Sequence, residues 1–190
     1  MEYRADDKHV QEITGYFGLE SGSKGLSAAM VKEPVEEGDA DEDLQAPQVR
    51  EYRALAARAN YLSLDRPDIQ CAAKEICRDM AKPTTRSRAK VKRLARYLLE
   101  YPQATIRFNA EIDEWNRDAI NVYSDSDWAG CAKTRRSTTG GVMVVDGGVT
   151  KTWSSMQATV AQSSGEAEYY AMVRAAAEAL GMQSIMRDLG

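Results

Sequence analysis

The spacing of hydrophobic residues divides the chain into a helical first half and a second half that contains strands. Between residues 49 and 101 the apolar positions recur at i, i+3, i+4 and i+7, as in Val91, Leu94, Ala95 and Leu98. This period predicts three helices. Prolines 67 and 83 mark the breaks between them, because the residue before a proline avoids the helical region. Asp68 is placed to cap the second helix.

After residue 102 the pattern changes to the alternation expected of strands. It predicts one strand from residue 120 to 125 and a second from 140 to 145. A third runs from 149 to 157 and is expected to continue through residue 160. A long helix is predicted from 165 to 189. The expected class is therefore α/β, in which a helical segment is followed by three antiparallel strands and one long helix, without internal repeats.

The last helix has an apolar stripe, and an acidic residue lies in line with it. The residues predicted to face the core are Met172, Ala175, Ala179, Met182, Met186 and Leu189. Glu168 lies one turn before Met172 on this stripe, where an ionised carboxylate needs a cation or a metal to compensate it. Glu166 lies off the stripe, about 200° round from Met172. It follows Ser163 by three residues, which is the capping-box spacing. A structural role in capping the helix therefore accounts for Glu166.

Two further carboxylates, Asp125 and Asp127, share one face at the end of the first strand. One explanation is structural, because Ser126, Asp127 and Gly130 all favour a turn. The other is a metal site, since an aspartate at a strand end beside a helix-borne glutamate offers the hard oxygen ligands that Mg²⁺ prefers. The spacing alone leaves both explanations open.

The net charge of −4 conceals a separation of acidic and basic residues. Acidic residues concentrate between residues 33 and 43, within a stretch rich in glycine and proline that predicts a flexible, solvated linker; a functional acidic segment is the alternative. Between residues 80 and 99 there are basic residues but no acidic ones: Lys82, Arg86, Arg88, Lys90, Lys92, Arg93 and Arg96. Arg88, Lys92 and Arg96 form one helical stripe, which indicates either a solvated face or contacts to phosphates. Arg135 and Arg136 could extend such contacts.

Histidine and cysteine usage excludes several classes of site. The only histidine is His9, which excludes a Ser-His-Asp or Cys-His arrangement in the second half and a histidine-ligated zinc. The three cysteines form no CxxC pair, which indicates reduced thiols in an intracellular protein. No signal peptide and no apolar run long enough to cross a bilayer is found, so we expect a soluble protein of the cytoplasm or nucleus.

Four motifs in order along the second half identify a family. They are residues 123–130 (YSDSDWAG), 136–140 (RSTTG), 152–155 (TWSS) with Gln157, and 163–171 (SSGEAEYYA). Together they resemble the ribonuclease H region of copia-type LTR retrotransposon polyproteins. Upstream, Tyr52-Arg53, residues 61–63, 66–69 and 94–98 resemble the segment that joins reverse transcriptase to ribonuclease H, and residues 3–9 resemble the end of the polymerase.

The resemblance implies a domain organisation and an activity. Residues 1–20 would be the tail of the reverse transcriptase, 21–48 an acidic flexible linker and 49–112 a helical connecting segment. Residues 113–190 would be a ribonuclease H-like domain truncated at its C-terminus. In the family, two Mg²⁺ ions held by four acidic residues cleave the RNA strand of an RNA–DNA hybrid. The motifs assign the first two, catalytic and metal-binding, to Asp125 and Glu168. Contacts to nucleic acid would come from Arg88, Lys92, Arg93, Arg96 and Arg136.

Two departures from the family pattern limit this expectation. The family's third and fourth carboxylates follow the long helix, where this chain ends, and Asp188 lies roughly 30 Å from Glu168 along the helix. The chain also has no Tyr-x-Asp-Asp polymerase signature. We therefore expect a polyprotein fragment that is inactive alone and marginally stable or self-associating. The alternatives are a non-catalytic nucleic-acid-binding remnant and a decayed open reading frame.

Overall fold

A computed structural model describes residues 1–20, 22–31, 41–108 and 119–190. The elements in chain order are β1 (Glu2–Arg4), α1 (Asp7–Tyr16), α2 (Ala46–Leu62), a 3-10 turn (Pro67–Ile69), α3 (Gln70–Arg78), α4 (Thr85–Glu100), β2 (Thr105–Arg107), β3 (Ile120–Asp127), β4 (Thr138–Val145), β5 (Gly148–Met156) and α5 (Ser164–Leu189). The predicted α/β class is confirmed. None of the helices among these residues is long and apolar enough to cross a membrane.

The chain forms two compact units, residues 4–105 and residues 1–3 with 106–190. The boundaries predicted at residues 20, 48 and 112 stay predictions. Residues 32–40, which hold most of the acidic residues of the predicted linker, lie outside the described residues. Residues 109–118 also lie outside them. Each unit is described below by itself.

The helical unit packs α1, α2, α3 and α4 around one core. Helix α4 begins with a capping box, in which Thr84 and Ser87 each accept a hydrogen bond from the other's backbone amide. Its predicted core stripe is confirmed, since all four apolar residues are fully buried: Val91, Leu94, Ala95 and Leu98. Helix α1 adds Val10 and Ile13 to the same core. Burial of these side chains is the main stabilising term.

Arg66 joins the α2–α3 connection to the end of α4. Its side chain is 1% exposed, and its guanidinium donates to both carboxylate oxygens of Asp68 at 2.9 and 2.7 Å. It also donates to the carbonyl oxygens of Tyr101 and Pro102 at 2.9 and 3.0 Å. Burial by itself would raise the pKa of Asp68, but the hydrogen bonds from Arg66 and Tyr97 outweigh it, so this pKa is lowered.

The prediction that Asp68 caps the second helix is wrong. Helix α3 begins after Ile69, which makes no side-chain capping bond. The carboxylate of Asp68 is instead occupied by Arg66, whose fork of donors matches both oxygens. An ion pair with a residue two positions away has therefore replaced the predicted cap.

The two described ends of the predicted linker lie against α4. The amide of Leu26 donates to the carbonyl of Arg96, and the Arg96 side chain donates back to the carbonyl of Lys24 at 2.8 Å. Leu44 is buried, and its amide donates to the carbonyl of Pro83. The flexibility predicted for residues 21–48 stays a prediction, but these contacts fix where the segment leaves and rejoins the helical unit.

The second unit is an antiparallel sheet, β3–β4–β5, with α5 packed on one face. Val122, Met143 and Trp153 form the sheet side of the core beneath the helix. The predicted extension of the third strand to residue 160 is wrong, because β5 ends at Met156. Beyond it the amide of Gln157 still donates to the carbonyl of Ser137 at 2.8 Å. The buried Gln157 side chain donates to the Thr139 hydroxyl and to the carbonyl of Ala167 in α5.

The core face of α5 differs from the predicted stripe at several positions. Ala167, Ala171 and Ala175 are its buried residues, and Met182 packs beside Ala175. Met172, predicted to face the core, is 57% exposed. Leu189 is likewise exposed, whereas Ala175 and Met182 were placed correctly, and Ala179 and Met186 are half-buried. Alanine side chains let the helix backbone lie close to the sheet, so the small residues, not the large ones, face inward.

We expect Arg66→Ala to lower the free energy of unfolding of the helical unit by about 3 to 5 kcal/mol, because Asp68 keeps only the Tyr97 hydroxyl as a side-chain donor and two carbonyls lose theirs. Urea unfolding followed by far-UV circular dichroism measures this. The control is Arg58→Ala, which breaks an ion pair with Glu12 in which both side chains are more than a third exposed. That change should cost less than about 1 kcal/mol. Equal losses would contradict the structural role of Arg66.

In the sheet, Gly141→Ala should be destabilising by about 1 to 3 kcal/mol, as overpacking of a filled core is. A Cβ at this position would lie 2.1 Å from Cζ2 of the Trp153 ring. Gly140→Ala is a matched control in the same strand, because a Cβ there meets nothing within 4 Å. Thermal unfolding of the two variants side by side tests the packing, and a smaller loss for Gly141→Ala than for Gly140→Ala would show it to be wrong.

Candidate functional site

Glu168 lies where the first turn of α5 passes over the end of β3. The helix begins at Ser163, whose hydroxyl accepts a hydrogen bond from the amide of Glu166 at 3.1 Å. Because Ala167 packs onto the sheet, the next residue projects beside the strand. One carboxylate oxygen of Glu168 accepts hydrogen bonds from the Ser126 hydroxyl at 2.7 Å and from the Ser126 amide at 3.2 Å. The half-buried carboxylate is thus satisfied by one residue of β3.

The neighbouring acid, Glu166, has the structural role predicted for it. Its carboxylate accepts hydrogen bonds from the amide of Gln162 at 2.6 Å and from the hydroxyl of Tyr170 at 2.8 Å. The bond from the Gln162 backbone, followed by that from Tyr170, lowers the pKa of Glu166. Together with the Ser163 cap these bonds occupy the start of the helix. The carboxylate reaches Gln162, one residue earlier than a strict capping box requires.

Asp125 and Asp127 lie on the opposite face of the sheet from α5. Side chains alternate along a strand, and Ser126 faces the helix, so both aspartates project to the other side as a pair. Tyr123 shares their face and is 62% exposed. Asp125 is exposed and stands opposite Gly140 in the register of β3 and β4.

The second aspartate takes part in the turn that ends β3. Its carbonyl accepts a hydrogen bond from the amide of Gly130. Its carboxylate lies so close to Gly130 that a Cβ there would be 2.0 Å from Oδ2. Asp127 therefore fits the turn explanation, and the metal explanation concerns Asp125 and Glu168.

The structure brings these two acids to the same end of β3 but on different faces. Among the described residues, no group of three or more histidine, cysteine, aspartate or glutamate side chains is placed to hold a metal ion. Glu168 was expected to need a cation, but Ser126 provides the compensating hydrogen bonds. The carboxylates present in these ranges do not by themselves fit a two-metal site.

Ser126 is the site residue that the sequence did not reveal. It contacts Glu168 across 42 positions of sequence, so only the folded chain brings them together. The available signal was its place between two aspartates, on the strand face shared with Val122. A polar residue on the strand face that a helix covers needs a hydrogen-bond partner.

Most of the predicted basic stripe on α4 has partners in the helical unit. Arg88 lies over the rings of Tyr16 and Phe17, at 6.0 and 5.7 Å from their centroids. Arg96 donates to a backbone carbonyl, as described above. Lys92 is exposed and forms no ion pair within the described ranges. Only Lys92 of this stripe is therefore both exposed and without a structural contact.

The other basic residues near α4 also divide between structural and exposed positions. Lys90 pairs with Asp79 at 2.7 Å and Lys82 with Asp43 at 3.0 Å, so acids from other segments supply the pairing that α4 itself lacks. Arg93 is half-buried, and its Nε finds no acceptor in the part of the chain that the structure describes.

We expect Ser126→Ala to lower the free energy of unfolding of the sheet unit by about 1.5 to 3 kcal/mol, the range for a hydrogen bond to a charged group. The reason is that Glu168 keeps only the amide of residue 126 as a donor. Ser124→Ala is the control, since Ser124 lies on the same strand face and its hydroxyl has no described hydrogen bond. Chemical denaturation of both variants checks this, and equal effects would be inconsistent with the Ser126–Glu168 contact.

Comparison with known proteins places the chain among mobile-element proteins. No family model matches it, and no solved structure does. It is 36% identical over 132 residues to an uncharacterized mitochondrial protein of Arabidopsis thaliana, covering 70% of this chain and 53% of that protein. It is 34% identical over 141 residues to the retrovirus-related Pol polyprotein from transposon RE1 of the same plant, covering 74% of this chain and 9% of the polyprotein.

A third relative is similar in length to the matched region. Secreted RxLR effector protein 161 of Plasmopara viticola is 34% identical over 127 residues, covering 67% of this chain and 87% of that protein. The chain thus spans about half of the mitochondrial relative and about a tenth of the RE1 polyprotein. With the four motifs on β3, β4, β5 and α5, these relatives show that the chain belongs to the family of copia-type LTR retrotransposon polyproteins.

Proposed function

We propose that the chain is part of the nuclease region of a retrotransposon polyprotein. In this role it contributes Asp125 and Glu168 to a ribonuclease H domain that cleaves the RNA strand of RNA–DNA hybrids. The observation that carries the proposal is the hydrogen bonding of Glu168 to Ser126, the residue next to Asp125. Helix α5 and strand β3 thereby bring the two motif acids to one end of the sheet.

The order of the elements supports the same proposal. Three antiparallel strands followed by a long helix correspond to the beginning of a ribonuclease H-like fold, which the motifs independently suggest. The helix lies across one face of the sheet and its first turn reaches the end of the first of these strands. The proposed setting for this activity is the cytoplasm or nucleus.

Mg²⁺ enters the proposal only for a more complete domain. The described carboxylates do not form a set of ligands for it, as noted above. We propose that further carboxylates come from another part of the polyprotein, which is consistent with the much greater length of the RE1 relative. This chain would then be inactive on its own.

We expect the isolated chain to produce no Mg²⁺-dependent cutting of an RNA–DNA hybrid above the uncatalysed background. The reason is that no group of three or more carboxylates among the described residues is placed to hold a metal ion, and two-metal hydrolysis needs a complete set of ligands. A hybrid labelled at the 5′ end of its RNA strand, incubated with the chain and Mg²⁺ and resolved on a denaturing gel, gives the measurement.

Asp125→Asn and Glu168→Gln are the controls, because each removes a carboxylate charge with little change in shape. Cutting by the wild-type chain that both changes abolish would refute the proposed inactivity and support the two acids as catalytic. Cutting that survives both changes would indicate a contaminating nuclease. The same two substitutions in a longer polyprotein segment should abolish its cutting, and unchanged cutting there would overturn the proposed function.

A second candidate function is nucleic-acid binding without catalysis. The exposed and unpaired Lys92 favours it, because cations of this kind contact phosphates without regard to sequence. The same exposure is typical of a solvated helix face, so the proposal does not rest on α4 alone.

A further inference from the structure

The loop between β3 and β4, residues 128–137, has a fixed conformation held by its own hydrogen bonds. The amide of Ala129 donates to the hydroxyl of Ser137 at 3.0 Å, and Ser137 is fully buried. The amide of Arg135 donates to the carbonyl of Cys131 at 2.7 Å, and the amide of Cys131 donates to the carbonyl of Arg136 at 3.2 Å. The loop thus folds back on itself instead of extending into solvent.

Two residues of this loop adopt a backbone conformation that side chains disfavour. Ala129 has a φ of 51° and Arg135 a φ of 58°, both in the left-handed region where glycine is usual. Such strain persists only where the surrounding structure enforces it, and it concentrates at functional sites. At residue 135 the chain carries an arginine where a glycine would fit more easily.

Trp128, the first residue of the loop, is anchored at one edge and open elsewhere. Its indole N–H donates to the carbonyl of Ala161 at 3.1 Å, in the segment that leads into α5. The side chain nevertheless remains 46% exposed. The hydrogen bond therefore fixes the ring while leaving much of its apolar surface accessible.

The loop also carries a concentrated positive charge. Lys133, Arg135 and Arg136 are exposed, and the loop contains no acidic residue. None of the three forms an ion pair with a residue in the described ranges. These cations differ in this respect from Lys82 and Lys90 near α4, which are paired.

The nearby start of α5 is not the anion site in this region. The amide of Glu166 is bonded to the Ser163 hydroxyl, and the Glu166 carboxylate, which accepts from the amide of Gln162, adds negative charge there. A phosphate approaching this edge of the sheet would therefore be attracted to the loop and not to the helix end.

We infer that the β3–β4 loop is a docking surface for the backbone of an RNA–DNA hybrid. Lys133, Arg135 and Arg136 contact phosphates, and the exposed part of the Trp128 ring packs against a sugar of the same strand. This inference rests on the proposed function, which supplies the hybrid, but the residues and the mode of contact come from the loop. Cations on a hydrogen-bonded loop beside an anchored aromatic ring suit a polymer that alternates charged phosphates with apolar sugar surface.

The test measures binding of the full chain to a fluorescently labelled hybrid by anisotropy, without Mg²⁺, over a series of KCl concentrations. The main variant, Arg135→Gly with Arg136→Gln, removes two charges, and glycine accepts the left-handed conformation at residue 135 without strain. Arg50→Gln with Arg187→Gln is the matched control, since it removes two exposed charges outside the loop.

We expect the loop variant to bind about tenfold more weakly at moderate salt and to reduce the slope of log K against log salt by roughly 1.5 to 2, because each phosphate contact contributes about 0.9. The control should change affinity by less than about twofold. Trp128→Ala should weaken binding by about fivefold, with Trp128→Phe intermediate, on the scale of aromatic contacts to nucleic acids. Circular dichroism of every variant verifies that the fold is retained.

The outcomes separate this inference from the function on which it rests. If the wild-type chain binds and the loop variants weaken binding no more than the control variant does, the loop assignment is overturned. The proposed function is unaffected by that result. Absence of salt-dependent binding by the wild-type chain would also overturn the loop assignment, whereas the proposed function is tested separately by cutting in the longer polyprotein segment. Binding of the same variants to vesicles containing phosphatidylserine is measured in parallel. Loop-dependent binding to the vesicles without binding to the hybrid would assign the surface to a membrane and overturn the inference.

Discussion

The candidate site depends on the close approach of α5 to the sheet, which three alanines at every fourth position allow. With Ala167, Ala171 and Ala175 as its inner face, the helix lies low over the core formed around Trp153. A larger side chain at residue 167 would lift the first turn away from β3. The short contact between Glu168 and the strand is therefore a consequence of small neighbours, and the position of the acid is set by packing before any charge is considered.

The order and type of α2 to α5 and of β3 to β5 could be predicted from sequence because each has a clear period, whereas the short strands β1 and β2 have none. The face of α5 could not, since hydrophobicity favoured the larger Met172, whereas the residues buried against the sheet are Ala167, Ala171 and Ala175. The same limit applies to Asp68, where a local capping rule was overridden by Arg66. For α5 the deciding contact is packing against the sheet, and for Asp68 it is an ion pair with a residue only two positions away. Hydrophobic periodicity records neither of these side-chain contacts.

The site itself was predictable to the extent that motifs name residues. They selected Glu168 and Asp125, while the helical phase that also selected Glu168 relied on Met172, which proves to be exposed. The partner of Glu168 and the faces on which the acids lie required the fold. The basic stripe on α4 shows the opposite error, because Arg88 looked available in sequence and is engaged by aromatic rings of α1 and its C-terminal end.

Arg66 has a consequence for how the helical unit opens. Its bonds to Tyr101 and Pro102 connect positions 35 and 36 residues apart. Unwinding the end of α4 would therefore leave a buried guanidinium without two of its acceptors. Fraying of that helix is consequently as costly as loss of an internal contact, although helix ends are ordinarily the first parts to open. Local openings of this unit are thereby coupled to one another, and exchange of its backbone amides with solvent should follow a single cooperative transition.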